Sequence, residues 1–275
     1  MNQTTLRDAC AFEGVGLHLG QPAQVEVRPA APNSGFVFLL RSSNGAVQRV
    51  PATAEYVIDT ARATVLGLDG ASVSTVEHLL SALLGMGVSN VEIDVRGPEI
   101  PALDGSAVLF ADAIAHVGLV EQAHPRAELR LDAPFEMRSG DRAVLLLPSD
   151  AFRVRFVVDF EPPVGTQYFD GSIAASNYRE EIAPARTFGY LHEVEALRAR
   201  GLAMGGSLEN ALVFAPNGPM QPMRWPTEVV RHKVLDLIGD FALLGAWPLC
   251  DIIAVKSGHE LHARVTQALR KRNRG

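Results

Sequence analysis

The stretch VRHKVLDLIGD, residues 230–240, carries an imidazole and two carboxylates four residues apart. His232, Asp236 and Asp240 are set among Val229, Val230, Val234, Leu235, Leu237, Ile238 and Phe241. On a helix, His232 and Asp236 share one face and address one point. Asp240 is rotated by roughly 80° from His232 and serves a neighbour instead. An ionised carboxylate in apolar surroundings is costly unless it is paired or bound to a metal. Alone, the spacing also describes the solvent side of an ordinary amphipathic helix. His78, in TVEHLLSALL, is another polar residue on a leucine-rich helix, and alone it reads as a hydrogen-bonded core histidine. Together, His78, His232 and Asp236 offer three N/O ligands, the number found in catalytic zinc sites that keep a fourth position for water. The same donors suit iron(II). Zinc lowers the pKa of bound water towards neutrality and makes a hydroxide-like nucleophile available.

Two further groups complete this chemistry. Glu77 adjoins one ligand histidine, as the general base does in metalloprotease helices. A first-turn glutamate also suits the helix dipole. His259, in VKSGHELH, follows a strand in a Ser-Gly turn. Asp240 can fix its tautomer and raise its proton affinity. An imidazolium there can stabilise an oxyanion or protonate a departing amine. His262, three residues on, is expected at the surface.

These residues need elements to bring them together. AQVEVRPA and GFVFLLR read as strands. TVEHLLSALLGMG reads as a helix, with Leu79, Leu80, Leu83 and Leu84 on one side, and NVEIDVRG as a strand. A helix capped by Asp104 or Ser106 then runs to about His116. The order recurs with AELRL, RAVLLLP and FRVRFVVDF as strands, then the helix of PTEVVRHKVLDLIGDFALLG, the strand CDIIAV and a final helix. Thr227 is the candidate cap of the second histidine helix. The fold class is therefore α+β, with two similarly built halves: residues 1–122 carry the Glu77/His78 helix and residues 123–275 the His232/Asp236 helix. Two facing helices would bring the histidines together at the seam, a common place for sites. An insertion at about residues 188–206 has no expected counterpart in the first half.

The chain has 275 residues, 47% hydrophobic and 20% charged, with a net charge of −6. This balance argues against a nucleic-acid binder, which usually shows a basic face. In the C-terminal RKRNRG, Arg270, Lys271, Arg272 and Arg274 read as a solvated tail; weak contact with an anionic membrane surface is the alternative. Cys10 and Cys250 are far apart, which fits small hydrophobes in a reducing compartment rather than a disulfide framework. There is no signal-peptide pattern and no apolar run long enough to span a bilayer, so a cytosolic protein is expected, with no demand for more than a monomer.

The blocks GVGLHLG, TVEHLLSALLGMGVSNVEIDV, PEIPALDGSA, ARTFGY, GGSLENALV, VRHKVLDLIGD and KSGHELH occur in this order across nearly the whole chain. In this they resemble the UDP-3-O-acyl-N-acetylglucosamine deacetylase (LpxC) family. The resemblance implies a zinc amidase that removes acetate from UDP-3-O-((R)-3-hydroxyacyl)-N-acetylglucosamine, the committed step of lipid A synthesis. It implies a fold of two α+β halves, with the paired helices sandwiched between the sheets. Carried over by motif, the metal ligands fall on His78, His232 and Asp236, the general base on Glu77, and the second catalytic histidine on His259, oriented by Asp240. Thr187 would help hold the oxyanion and Phe188 would line the site. Lys233 falls near the site, Lys256 at the nucleotide phosphates and Phe160 near the uracil. The insertion would form the acyl passage, lined by Leu191, Val194, Leu197, Leu202 and Met204. The segment APNGPMQPMRWP is richer in proline than the family pattern, which bears on loop shape and not on the chemistry.

Two other functions compete. One is a zinc amidase acting on another acylated amino sugar. The other is a non-catalytic nucleotide-sugar or lipid binder with a structural metal, against which Glu77 and His259 argue.

Overall fold

The computed structural model describes residues 1–42 and 45–273. Its helices are α1 (Glu77–Gly85), α2 (Val108–Val117), the single turn α3 (Ala175–Asn177), α4 (Leu191–Ala199), α5 (Glu228–Ala242) and α6 (His259–Asn273). Two larger sheets accompany them, and the architecture is α+β.

Both larger sheets have the same strand order. In the first, the strands run Cys10–Val15, Pro22–Pro29, Val91–Arg96, Phe36–Arg41, Val47–Pro51 across the sheet. In the second they run Phe135–Ser139, Arg142–Pro148, Trp247–Val255, Arg153–Asp159, Thr166–Ser172, and Glu128–Arg130 also pairs with Trp247–Val255. In each, the last strand in sequence enters the middle, antiparallel to one neighbour and parallel to the other. A helix precedes that strand and another follows it: α1 and α2 in the first case, α5 and α6 in the second. The repeated order legible in the sequence is thus a repeated topology. Leu119–Pro125 pairs with the N-terminal strand Asn2–Leu6 and leads from one sheet to the other.

α1 and α5 pack against each other at the centre. All nine residues of α1 are buried, His78 and Glu77 included. This departs from the one-sided leucine stripe the sequence suggests. A helix covered on several sides needs apolar residues around its whole circumference. α5 is buried along the same lines, with only Arg231 and Lys233 partly open. The closest approach of the pair requires Gly239, because a Cβ there would lie 2.0 Å from the Glu77 carbonyl oxygen. That contact sets the start of α1 beside the segment of α5 that carries Asp236 and Asp240.

Two small sheets flank this core. One comprises Val57–Asp59, Val65–Leu68 and Ala71–Val73, the other Phe188–Tyr190, Leu212–Ala215 and Gly218–Pro219. The first lies before α1 and the second before α5, so the insertion does have a positional counterpart, contrary to the sequence reading. Among the described residues, no helix is long and apolar enough to cross a membrane. The C-terminal basic cluster is not simply a solvated tail. Arg270 pairs with Glu55 at 2.8 Å, and α6 continues through Lys271 and Arg272, which are exposed. Arg274 lies outside the described residues.

Candidate metal centre and active site

The N-terminus of α1 and the middle of α5 bring His78, His232 and Asp236 together, and one potential ligand atom from each lies within 4.8 Å of the others. Asp236 Oδ1 is 3.4 Å from His232 Nε2 and 3.7 Å from His78 Nε2. The two imidazoles are perpendicular, with ring centres 5.1 Å apart. His232 Nδ1–H donates to the Ala185 carbonyl at 3.0 Å, which leaves the Nε2 lone pair facing Asp236. Burial, aided by the neighbouring His232, pushes the His78 pKa down to about 3, so its ring is neutral and able to donate a lone pair. Burial likewise lowers His232. For Asp236 burial acts against ionisation, but His232 and Lys233 outweigh it and the carboxyl is held below its usual range.

The donor set fits a divalent cation on one further observation. Asp236 Oδ2 accepts from Lys233 Nζ at 2.6 Å, whereas Oδ1 is buried without a hydrogen-bond partner among the described residues. An unsatisfied, charged, buried oxygen between two imidazole nitrogens is expensive unless a cation completes it. Two nitrogens and one carboxylate oxygen match open catalytic zinc sites and equally suit iron(II).

Glu77 and His259 stand beside this cluster. His259 Nε2 is 3.8 Å from Glu77 Oε1 and 4.0 Å from Asp236 Oδ2. Burial raises Glu77 to about 7, with Asp236 and Asp240 adding to the effect and His259 opposing it. For His259 burial opposes the charge, but Asp240 and Glu77 prevail and its pKa rises to about 9. A base near neutrality and a protonated imidazole therefore face one another. His259 Nδ1–H donates to Asp240 Oδ2 at 2.8 Å, so Asp240 does hold this ring.

His262 is a correction to the sequence reading. It is fully buried, not at the surface: its Nδ1–H donates to Asp240 Oδ2 at 2.8 Å and its Nε2 meets the Ser257 hydroxyl at 2.8 Å. α6 packs on α5, which turns this first-turn histidine inward.

The cluster opens into a cavity of about 620 Å³. Thr187, Phe188, Phe160 and Lys233 line it together with His78, His232, Asp236, Glu77 and His259. Thr187 is fixed by its backbone, its N–H on the Gly105 carbonyl at 2.7 Å and its carbonyl on Leu212 N–H at 2.8 Å. Phe188 packs edge-on against Phe160 and lies near His232, with ring centres 5.1 and 6.2 Å away. Leu191, Val194 and Leu197 of α4 continue the wall, with Leu208, Val213 and Met220 beyond them. Leu202 and Met204 are not on it. Met204 is 54% exposed and its backbone N–H docks on the His18 carbonyl, so the glycine-rich turn presents Ala203, Gly206 and Ser207 to the cavity instead. Lys256 is also away from the lining, 2.8 Å from Asp159 and 3.2 Å from Asp141.

Sequence reasoning missed several participants. His18, Arg62 and Thr75 line the cavity. Glu99, fully buried, accepts the backbone N–H of His18 and Leu19 and the hydroxyl of Thr75, and so anchors the loop at the cavity's edge. Arg186 and Glu228, also buried, join the Thr187 segment to the start of α5 at 2.8 Å. Glu99 lies inside the block PEIPALDGSA and Glu228 at the start of the second histidine helix, but no partner adjoins either in sequence.

Comparison with known proteins adds a second line of evidence. The sequence model of the family described as LpxC, UDP-3-O-acyl N-acetylglycosamine deacetylase, matches residues 3–271. A protein named UDP-3-O-acyl-N-acetylglucosamine deacetylase from Syntrophotalea carbinolica is 42% identical over 270 residues, covering 97% of this chain and 87% of the relative. Proteins of the same name from Phenylobacterium zucineum and a Nostoc species are 43% and 42% identical, each over 276 residues. They cover 99% and 98% of this chain and 94% and 98% of the relatives.

Proposed function

The chain belongs to the LpxC family of UDP-3-O-acyl-N-acetylglucosamine deacetylases, and we propose that it works as follows. It is a hydrolase that cleaves the N-acetyl amide of a UDP-3-O-acyl-N-acetylglucosamine and releases acetate, in lipid A biosynthesis. His78, His232 and Asp236 hold a divalent ion, zinc or iron(II). When bound, that ion supplies Lewis acidity towards the acetyl carbonyl and lowers the pKa of the attacking water.

Glu77 is the general base. Its carboxylate borders the ligand cluster, and a pKa near neutrality suits proton abstraction at physiological pH. His259, held as an imidazolium by Asp240, faces the same space and stabilises the oxyanion that forms as the amide carbon becomes tetrahedral. The Thr187 hydroxyl, at the lining of the same cavity, adds a donor. Collapse of the intermediate needs a proton on the sugar nitrogen, and Glu77 or His259 delivers it. The apolar run of Leu191, Val194 and Leu197 takes the 3-O-acyl chain, while Phe160, Phe188 and Lys233 contact the sugar-nucleotide end. Lys256 is assigned to the phosphates on the motif alone, and it must leave Asp141 and Asp159 to serve them. Two free cysteines are compatible with work in a reducing cytosol.

The single observation that carries this reading is the orphaned Asp236 Oδ1 between two imidazoles, with an acid and a base beside it and an apolar cavity in front. The test is acetate release from the UDP-3-O-acyl substrate with and without a chelator. Activity is expected to vanish with the ion and to return with zinc or iron(II). Full activity in stoichiometrically metal-free protein contradicts the reading. Equal rates on UDP-N-acetylglucosamine lacking the acyl chain would point to a different amino-sugar substrate.

A further inference from the structure

We propose that Thr64 is a positioning residue for the deacetylation, one that sets the base and the acid at a fixed relation to each other; this rests on the reading just given. Thr64 precedes the strand Val65–Leu68 of the first small sheet and is 1% exposed. It is not among the cavity's lining residues, so it acts through others. All three of its polar groups are engaged at the site. Its N–H donates to Glu77 Oε2 at 3.1 Å. Its hydroxyl donates to Asp240 Oδ1 at 2.6 Å. Its carbonyl accepts the N–H of Val76, the residue before Glu77, at 3.3 Å. The hydroxyl oxygen is also 3.4 Å from His259 Nδ1.

The division of labour on Asp240 gives the hydroxyl its importance. Oδ2 receives both imidazole N–H groups, from His259 and His262. Oδ1 receives Thr64. The carboxylate is 1% exposed, so water does not readily replace a lost donor. Without the hydroxyl, Oδ1 loses its donor and only the two imidazoles on Oδ2 hold the carboxylate, so its tilt, and with it the His259 ring, is less firmly set. One residue at the edge of a flanking small sheet thus ties α1, through Glu77, to α5, through Asp240. The chain reaches this point through Arg62, whose φ of 73° is unusual for a side-chain-bearing residue and which itself borders the cavity. Partners that orient a catalytic group, without touching substrate, typically change activity by about 10–100-fold when removed.

The experiment compares Thr64→Val, which has nearly the same shape and keeps the backbone N–H but lacks the hydroxyl, with Thr64→Ser, which restores the donor. Expected for Thr64→Val are a kcat lower by about 10-fold or more, a KM within about twofold and an unchanged metal content. Thr64→Ser should recover most of the loss. In an Asp240→Asn background, Thr64→Val should cost nothing further, because its effect passes through Asp240. Native kcat in Thr64→Val, or costs that multiply in the double variant, overturns the inference. If Thr64→Val does not fold, Thr64→Ala against Thr64→Ser makes the same comparison. A wild-type chain that releases no acetate would sink the functional reading instead. In that event the imidazole N–H resonance of His259 decides this inference separately: it should persist in Thr64→Ser and broaden or vanish in Thr64→Val, and persistence in both refutes it.

Discussion

Replacing Asp240 by asparagine separates the charge of this residue from its shape. The native carboxylate receives His259, His262 and Thr64 and is shielded from solvent. Burial alone would drive His259 below its ordinary pKa of about 6.5; the carboxylates, Asp240 foremost, carry it to about 9 instead. The native His259 is therefore almost wholly protonated at pH 7.5. With the Asp240 charge gone, burial weighs more heavily against the remaining Glu77 and Asp236 charges and the pKa falls; a fall to the ordinary value of about 6.5 leaves roughly a tenth of the rings charged at pH 7.5. The protonated fraction alone thus predicts a rate about 10-fold lower, and loss of ring orientation adds to it. The active form has Glu77 ionised and His259 protonated, so native activity rises as Glu77 loses its proton and falls as His259 loses its own. A cation at the ligand cluster lowers both limbs, so the quantity to read is the difference between variant and native enzyme. Initial rates of acetate release from pH 5.5 to 9.5 should show the alkaline limb of Asp240→Asn displaced to lower pH, and the plateau reduced. An alkaline limb that stays where the native one lies, with the rate preserved, refutes the role of Asp240 as the charge that keeps His259 protonated.

Other substitutions probe separate parts of the account. Glu77→Ala should lower kcat by about 10²–10⁴-fold while the ion stays bound, since the proposal makes Glu77 the base and not a ligand; retained turnover would remove it from that role. Arg186→Met leaves Glu228 buried and without its cation and should cost about 3–5 kcal/mol of stability in a urea titration; a melt within experimental error of the native one would show that the pair does not bind the Thr187 segment to α5. Gly239→Ala forces a methyl group onto the Glu77 carbonyl and should destabilise the chain by about 1–3 kcal/mol with a marked loss of kcat; native behaviour would mean that the helices part without consequence. Val194→Trp narrows the apolar wall and should raise KM for long-chain 3-O-acyl substrates while sparing short ones; equal effects on both would place the chain elsewhere.

What was readable in the sequence was the part fixed by periodicity and by the cost of buried charge. His232 and Asp236 fall on one face of an otherwise apolar helix, and with His78 on a second such helix the pattern pointed to a site rather than to an ordinary solvent face. The recurrence of strand, helix, strand, helix predicted a repeated build, and both larger sheets adopt one strand order. What was not readable depended on partners remote in the chain or on elements too short to show a pattern. Thr64 meets Asp240 across 176 positions, and nothing near either residue announces the other. The strands of the two small sheets have two to four residues, too few for alternation to register. His262 was expected at the surface because the last helix is rich in charge, but within its first turn Leu261 and His262 are buried while Glu260 is exposed. Leu202 and Met204 failed as lining residues for a related reason. In a glycine-punctuated turn, hydrophobicity says that a residue can line a cavity, but the backbone decides which residues do.

The proposal has residues from two facing helices share one ion, and counting that ion per chain decides whether they do. Metal should be counted per chain in the native protein and in His78→Ala, His232→Ala and Asp236→Ala, each confirmed folded. The account predicts about one zinc or iron(II) in the native chain and a substoichiometric content in all three variants. Full occupancy in a folded Asp236→Ala chain would contradict it.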